Sequence, residues 1–122
     1  MTLTGTCHCG AVEVTVPRAP AKVTLCNCSM CRRYGALWGY YLPREVVVKA
    51  APHATHGYVW GDKVIRFVRC ANCGCVTHYD LIVSRGEDDT MAVNMRMFAP
   101  EQLGNVEIRR FDGAVSWKYL ED

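Results

Sequence analysis

Eight cysteines in a chain of 122 residues are the side chains best suited to chemistry in this sequence. They fall into three clusters, at residues 7–9, 26–31 and 70–75. Two thiolates one or two residues apart can bind the same metal ion, and a following glycine lets the backbone turn its amide N–H groups toward sulfur. Gly10 and Gly74 occupy that position. The spacing predicts metal ligation, and it favours zinc over an iron–sulfur cluster.

The first and third clusters together predict a closed, structural zinc site. Cysteine pairs about 60 residues apart can build one tetrahedral site if the fold brings two hairpin tips together. The predicted ligands are Cys7, Cys9, Cys70 and Cys73.

The middle cluster predicts a different kind of site. Cys26, Cys28 and Cys31 lie within six positions, so they can wrap one ion and leave a fourth coordination place for water or substrate. Zinc there would lower the proton affinity of a bound thiol or water, or polarise a carbonyl group. These three cysteines are therefore both the predicted ligands of a second, open zinc and the candidate catalytic residues.

Cys75 has three alternative interpretations. It could close the second site as a fourth ligand, line a site as a reactive thiol, or be a small buried residue, which is the most frequent case. If Cys75 is a ligand, the open position of the second site disappears and so does the case for catalysis.

Side chains next to the middle cluster could form a binding pocket. Arg32 and Arg33 could bind a carboxylate, because guanidinium groups match its geometry, although surface solvation explains them equally well. Trp38, Tyr40 and Tyr41 could line an apolar pocket, although aromatic residues on a short strand more often belong to the core.

Two histidine positions have less specific interpretations. His8 alternates away from Cys7 and Cys9, which favours a surface or supporting position over metal ligation. His78 and Asp80 follow the third cluster and could orient a ligand or move a proton, but an ordinary hydrogen-bonded pair is the favoured interpretation.

Short strands are the elements predicted to position these residues. Alternating valines predict a β-hairpin over residues 2–16, and Pro100 favours a single helical turn at 100–103. Alternation in 90–97 places three methionines on one core-facing side of a strand. Further strands are predicted at 22–25, 35–42, 45–49, 55–60, 63–69 and 76–83. The predicted fold class is mainly β.

Composition limits the possible functions. The content of 50% hydrophobic and 21% charged residues is typical of a globular protein, and the length fits one domain over residues 1–122. A net charge of +2 is too small for the basic footprint of nucleic-acid binding. The sequence has neither a membrane-length apolar run nor a secretory leader, which predicts a cytoplasmic protein with no membrane partner.

The ordered motifs resemble the glutathione-dependent formaldehyde-activating family, whose domain also occurs in centromere protein V. They are Gly5-x-Cys7-His8-Cys9-Gly10, Cys26-x-Cys28-Ser29-x-Cys31-Arg32, Cys70-x-x-Cys73-Gly74 and Val93-Asn94. The resemblance implies a zinc-stabilised β-tent fold of the Mss4-like group. It also implies two zinc ions per chain, held by the two ligand sets named above.

The resemblance further implies a function. The family joins formaldehyde and glutathione into S-hydroxymethylglutathione, which formally is a carbon–sulfur lyase reaction run in reverse. The expected partners are a small thiol and an aldehyde, aligned at the open zinc so that the entropic cost of their encounter falls. The alternative is a binding module in which both zinc ions are structural and no reaction is catalysed.

Overall fold

The computed structural model describes residues 2–84 and 86–120, in which eleven strands and two short helices form. The predicted mainly β class is confirmed. The strands are β1 (Leu3–Thr6), β2 (Glu13–Val16), β3 (Lys22–Cys26), β4 (Trp38–Tyr41), β5 (Val47–Lys49), β6 (Thr55–Tyr58), β7 (Ile65–Cys70), β8 (Val76–Leu81), β9 (Met91–Asn94), β10 (Glu107–Asp112) and β11 (Lys118–Leu120). The helices are α1 (Ser29–Tyr34) and α2 (Pro100–Leu103), and 3₁₀ turns cover Pro43–Glu45 and Met95–Met97. Neither described helix is long and apolar enough to cross a membrane.

A three-stranded sheet contains the predicted N-terminal hairpin. β1 and β2 pair antiparallel with Leu3 opposite Val16, and β5 pairs with β2 on its other side. Val14 and Val16 are fully buried, whereas Glu13 and Thr15 are partly exposed. This is the alternation expected of a strand with one face in the core, so the hairpin prediction is confirmed.

The second sheet has eight strands in the order β11-β10-β3-β4-β9-β8-β7-β6. All neighbouring pairs are antiparallel except β3 and β10, which are parallel. Its central strands are buried on both faces: Tyr41 and Val93 pack with the three-stranded sheet, whereas Trp38 and Ala92 belong to a second cluster on the other face. Successive side chains of a strand point to opposite faces, so each central strand contributes to both clusters.

The structure differs from the sequence-based predictions in three places. The predicted strand over 90–97 ends at Asn94 and continues as a 3₁₀ turn, whose first residue Met95 is still fully buried. The six-residue helix α1 is not predicted, because it is too short to show a helical period. β10 and β11 are also not predicted, because the two apolar residues of β10, Ile108 and Phe111, are three positions apart and do not alternate.

Asn94 connects the segments that follow two of the cysteine clusters. Its side chain is buried, and its Oδ1 accepts hydrogen bonds from the backbone N–H of Leu37 and of Arg96, both at 3.2 Å. Its Nδ2 donates to the backbone carbonyl of Val76 at 2.8 Å. Leu37 follows α1, and Val76 directly follows Cys75. One buried amide therefore fixes the relative position of both segments.

Replacing Asn94 with alanine is expected to destabilise the fold by about 2–4 kcal/mol, because buried backbone groups lose their partners. The melting temperature should fall by on the order of 10 °C in a calorimetric scan. Asn105→Ala, at an exposed asparagine, is the matched control and should change it little. Equal melting temperatures for the two variants would contradict the role of Asn94.

Candidate metal centres and cavity

The structure brings together the thiols of Cys7, Cys9, Cys70 and Cys73, which we name the knuckle cluster. Their sulfur atoms all lie within 4.8 Å of one another. The Sγ atoms of Cys7 and Cys9 are 3.7 Å apart, and those of Cys9 and Cys70 are 3.6 Å apart. A tetrahedral zinc with Zn–S bonds of about 2.3 Å has sulfur–sulfur edges of about 3.8 Å. The donor set and its spacing therefore fit a zinc ion.

Two similar turns present these thiols. Cys7 follows β1 and Cys70 ends β7, and the N–H groups of Gly10 and Gly74 bond back to the carbonyls of Cys7 and Cys70 at 3.1 and 3.0 Å. Both glycines have φ near +80°, at 83° and 82°, a conformation that side chains disfavour. The backbone N–H of Val12 also donates to Cys7 Sγ at 3.3 Å. This matches the role that the sequence assigns to the two glycines.

The knuckle cluster contains thiols of contrasting acidity. Burial raises the pKa of Cys7 to about 11, although the hydrogen bond from Val12 opposes this. Hydrogen bonds from the backbone N–H groups of Cys75 and Cys9 lower the pKa of Cys73 to about 5. A thiolate is the metal-binding form, so metal binding must displace the proton from Cys7, whereas Cys73 is already ionised at neutral pH.

The second group consists of Cys26, Cys28 and Cys31, which we name the helix cluster because it surrounds the start of α1. Its three sulfur atoms also lie within 4.8 Å of one another. Cys26 ends β3, and Cys28 is the N-cap of α1, with its sulfur accepting from the N–H of Cys31 at 3.3 Å. The N–H of Cys28 donates to Cys26 Sγ at 3.4 Å, and the indole N–H of Trp38 donates to Cys31 Sγ at 3.4 Å. Each sulfur thus receives a hydrogen bond that stabilises its thiolate form.

The pKa values of the helix cluster differ between positions. Burial raises the pKa of Cys31 well above its usual range, although the hydrogen bond from Trp38 opposes this. Burial also raises the pKa of Cys26. For Cys28 burial acts in the same direction, but hydrogen bonds from the Cys31 backbone and from the two neighbouring thiols outweigh it and lower the pKa. Cys28 is thus the member of this cluster that ionises most readily.

Cys75 lies beside the knuckle cluster. Its sulfur interacts with the backbone of His8 and the side chain of Cys73, and it packs partly buried against the core. Within the part of the chain that the structure describes, the helix cluster consists of three cysteines without Cys75. Cys75 is therefore not placed to be a fourth ligand at that cluster, whose three cysteines line an adjoining space.

That space is a cavity of about 490 Å³, which we name the aromatic cavity, with the helix cluster in its wall. Its lining strand residues alternate, as in Thr24 and Cys26 or Trp38 and Tyr40, so they share one face of the eight-stranded sheet. The lining residues are Thr24, Cys26, Cys28, Cys31, Trp38, Tyr40, Trp60, Gly61, Asp62, Ile65, Phe67, Tyr79, Phe111, Gly113, Trp117 and Tyr119.

The structure decides which of the aromatic residues after the helix cluster line a pocket and which belong to the core. Trp38 and Tyr40 line the cavity, and Trp38 is also almost fully buried. Tyr41 instead lies in the core on the opposite face, where its hydroxyl donates to the Arg18 carbonyl at 2.8 Å. Several further wall residues lie on strands or turns far from the helix cluster in sequence, so local patterns around that cluster give no signal for them. They are Trp60, Phe67, Tyr79, Phe111, Trp117 and Tyr119.

Hydroxyl groups form a connected row along one wall. Thr24 Oγ1 and Tyr119 Oη are 3.0 Å apart, and the Tyr40 hydroxyl interacts with Thr24 and with Tyr79. Burial raises the pKa of Tyr40 and, more strongly, that of Tyr79. These phenols stay protonated at neutral pH, and because each hydroxyl has a single proton, the row of four hydroxyls joined by three hydrogen bonds keeps one proton free.

Other predicted candidates lie elsewhere. Arg32 and Arg33 are exposed on α1 and do not line the cavity, and Arg33 bonds instead to the Ser29 carbonyl at 2.7 Å. His8 is exposed, as the surface interpretation predicts.

The prediction that His78 and Asp80 form a hydrogen-bonded pair is wrong. His78 Nδ1 lies 2.9 Å from the Thr77 hydroxyl, whereas Asp80 forms an ion pair with Arg66 at 2.9 Å. His78 is buried on β8, and this burial lowers its pKa, so the imidazole is neutral at physiological pH. Neither residue lines the aromatic cavity.

Gly113 provides a test of the contact between the C-terminal turn and the helix cluster. A Cβ atom at this position would lie 2.8 Å from Cys26 Sγ and 3.1 Å from Cys28 Cβ. We expect Gly113→Ala to displace these thiols and to weaken cobalt binding at the helix cluster, with little change at the knuckle cluster. Visible absorption during cobalt titration measures both sites. Val115→Ala, on the same turn at a side chain 88% exposed, should bind as the wild type does, and identical titrations for both variants would contradict the contact.

Comparison with known proteins places the chain in a family. A model of the family described as glutathione-dependent formaldehyde-activating enzyme matches residues 2–109. A crystal structure of a Rhodobacter sphaeroides protein is similar, with a TM-score of 0.69 and 31% sequence identity over 88% of this chain and 99% of that chain. No curated protein matches the chain significantly. Because the family model spans most of the sequence, the chain belongs to the glutathione-dependent formaldehyde-activating enzyme family.

Proposed function

We propose that the protein is a zinc-dependent carbon–sulfur lyase that joins a small thiol and an aldehyde, or cleaves their adduct. The observation that carries the proposal is the helix cluster of Cys26, Cys28 and Cys31 in the wall of the aromatic cavity. Three thiols there leave one coordination position toward a space that can hold a substrate, which is the arrangement of a catalytic rather than a structural site. Family membership supports a reaction of formaldehyde-activating type.

The two clusters would hold two zinc ions with different roles. The knuckle cluster supplies four thiols, which fits a closed structural site. At the helix cluster, zinc would supply a Lewis acid that binds a thiolate or polarises an aldehyde oxygen. The N–H groups of Cys28, Cys31 and Trp38 orient the three sulfur ligands and lower their charge density.

The proposed reaction is an addition without any redox change. The thiol sulfur forms a bond to the aldehyde carbon, the π electrons of the carbonyl move to its oxygen, and the proton lost from the thiol ends on that oxygen. The cavity walls hold both reactants together and reduce contact with water, which lowers the entropic cost of their encounter. The row that contains Thr24, Tyr40 and Tyr119 keeps one hydroxyl proton free, and that proton is available for a hydrogen bond to an oxygen that gains negative charge.

Exchange NMR tests this proposal. Formaldehyde is mixed with glutathione, a charged thiol, or with benzyl mercaptan, a neutral one, and the rate of adduct exchange is measured with and without the zinc-loaded protein. We expect faster exchange with at least one thiol at protein concentrations far below that of the substrates. Rates equal to the protein-free reaction for both thiols would contradict the lyase and support the alternative, a zinc-stabilised binding module.

A further inference from the structure

The walls of the aromatic cavity are unusually rich in rings. Eight aromatic side chains line it, and several are fixed against one another edge to face. Trp38 and Tyr79 have ring centroids 5.1 Å apart, and Phe111 lies 5.1 Å from Trp117 and 5.0 Å from Tyr119. Rings held in this way form a rigid apolar surface that favours another flat ring.

Two tryptophans stand at the mouth of this cavity. Trp60 and Trp117 are 42% and 71% exposed, so each offers a free ring surface to solvent. Trp117 has φ of 59°, which is unusual for a tryptophan, and its backbone N–H bonds to the Asp112 carbonyl at 2.7 Å. The turn thus accepts a disfavoured backbone conformation to hold this ring beside Phe111.

The charge distribution of the same cavity disfavours an anion. Among the described lining residues, Asp62 carries a carboxylate, and none is a lysine, an arginine or a histidine. The nearby Arg109 stacks on the Tyr119 ring, with its guanidinium carbon 4.0 Å from the ring centroid, and does not line the cavity. Three thiolates around a divalent ion add a net charge of minus one.

Glutathione does not match these walls. It carries two carboxylates, which need arginine, lysine or dense backbone N–H partners when they leave water. The candidate partners in the sequence, Arg32 and Arg33, lie outside the cavity. A carboxylate on the non-reacting part of a substrate would lie among aromatic faces and Asp62, which disfavour negative charge.

We propose that the cavity selects a substrate whose non-reacting part is an uncharged aromatic ring, in place of the tripeptide glutathione. The inference rests on the proposed function, because it assumes that the substrate's thiol or aldehyde group reaches the helix cluster. The ring would lie between Trp60 and Trp117 and the inner rings, and its reactive group would point to Cys26, Cys28 and Cys31.

Isothermal titration calorimetry on the zinc-loaded protein tests the selectivity with two matched pairs. The thiol pair is benzyl mercaptan and 4-(mercaptomethyl)benzoate, and the aldehyde pair is benzaldehyde and 4-formylbenzoate. We expect the neutral member of at least one pair to bind about tenfold more tightly than its carboxylate, because the carboxylate finds no partner. The pair that shows this preference identifies which reactant carries the ring. Equal affinities within both pairs, or tighter binding of the carboxylates, would overturn the proposal.

Two variants locate the binding. Trp117→Ala removes an exposed ring at the cavity mouth and should weaken the preferred neutral ligand at least about threefold. Val115→Ala, two residues away and outside the cavity, should leave the affinity unchanged. Equal affinity of the Trp117→Ala variant and the wild type would contradict this placement.

Adduct formation separates this inference from the proposed function. Selective binding of a neutral ring without any faster adduct formation would refute the lyase and leave the selectivity standing. Equal acceleration for the neutral and the carboxylate member of both matched pairs would refute the selectivity and leave the lyase standing.

Discussion

Replacing Cys70 with serine is expected to remove one metal ion per chain and to unfold the protein. Cys70 is 1% exposed, and its sulfur lies 3.6 Å from that of Cys9 at the centre of the knuckle cluster. Structural zinc supplies on the order of 10 kcal/mol of folding free energy in zinc-finger peptides. The net stability of a whole domain is only about 5–15 kcal/mol. Losing this ion therefore removes most or all of the stability.

Metal analysis and circular dichroism check this expectation. The Cys70→Ser variant should contain one ion fewer than the wild type and lose its strand signal at 25 °C. Cys75→Ser is the matched control, because Cys75 lies beside the knuckle cluster without belonging to it. That variant should keep its metal content and its fold. A folded Cys70→Ser variant with full metal content would show that the knuckle cluster does not hold a structural ion.

Replacing Cys28 with serine is expected to abolish catalysis without unfolding the protein. A serine hydroxyl can still accept the N-cap hydrogen bond from the N–H of Cys31, so α1 keeps its start while the metal-binding thiolate is lost. Serine is a poor zinc ligand compared with thiolate, so the helix cluster should lose its ion. The adduct exchange rate should then fall to that of the protein-free reaction.

The melting temperature distinguishes this effect from general damage. Cys28 is half-buried at a cavity wall, and the eight-stranded sheet beside it keeps its pairing, so we expect a change of only a few degrees. Ser29→Ala, at the next and exposed residue, should keep both the ion and the exchange rate. Undiminished exchange in a folded Cys28→Ser variant that lacks the second ion would refute the catalytic role of the helix cluster.

The sequence predicts best what depends on short spacing. The thiols of Cys7 and Cys9 are placed by a turn that ends at Gly10, and those of Cys70 and Cys73 by a turn that ends at Gly74, so each pair is a local feature. The N-terminal hairpin follows from the same kind of signal, the alternation of valines around Val14.

The aromatic cavity could not be predicted from the sequence, since it is assembled from distant segments. Trp60 lies in the turn between β6 and β7, whereas Phe111 and Tyr119 lie on β10 and β11. β10 joins the sheet through a parallel pairing with β3, and no local pattern encodes such a pairing. Two isolated aromatic residues in a sequence carry no information about whether they share a cavity.

Asn94 shows what structure adds to a motif. The Val93-Asn94 pair contributes to the family resemblance, but residue type alone does not explain its presence. In the fold its amide satisfies three backbone groups from separate segments. The asparagine is therefore explained by the buried backbone groups that it hydrogen-bonds, and only the folded structure shows which groups these are.

The parallel pairing of β3 with β10 also determines when the eight-stranded sheet can be completed during synthesis. A chain emerging from the ribosome has all four thiols of the knuckle cluster, and the strands β1 to β9, before β10 is synthesised. The ring-bearing wall formed by Phe111, Trp117 and Tyr119 is translated last. A domain folds as a unit, so β3 gains its partner β10, and the cavity its last wall, only when synthesis is nearly finished.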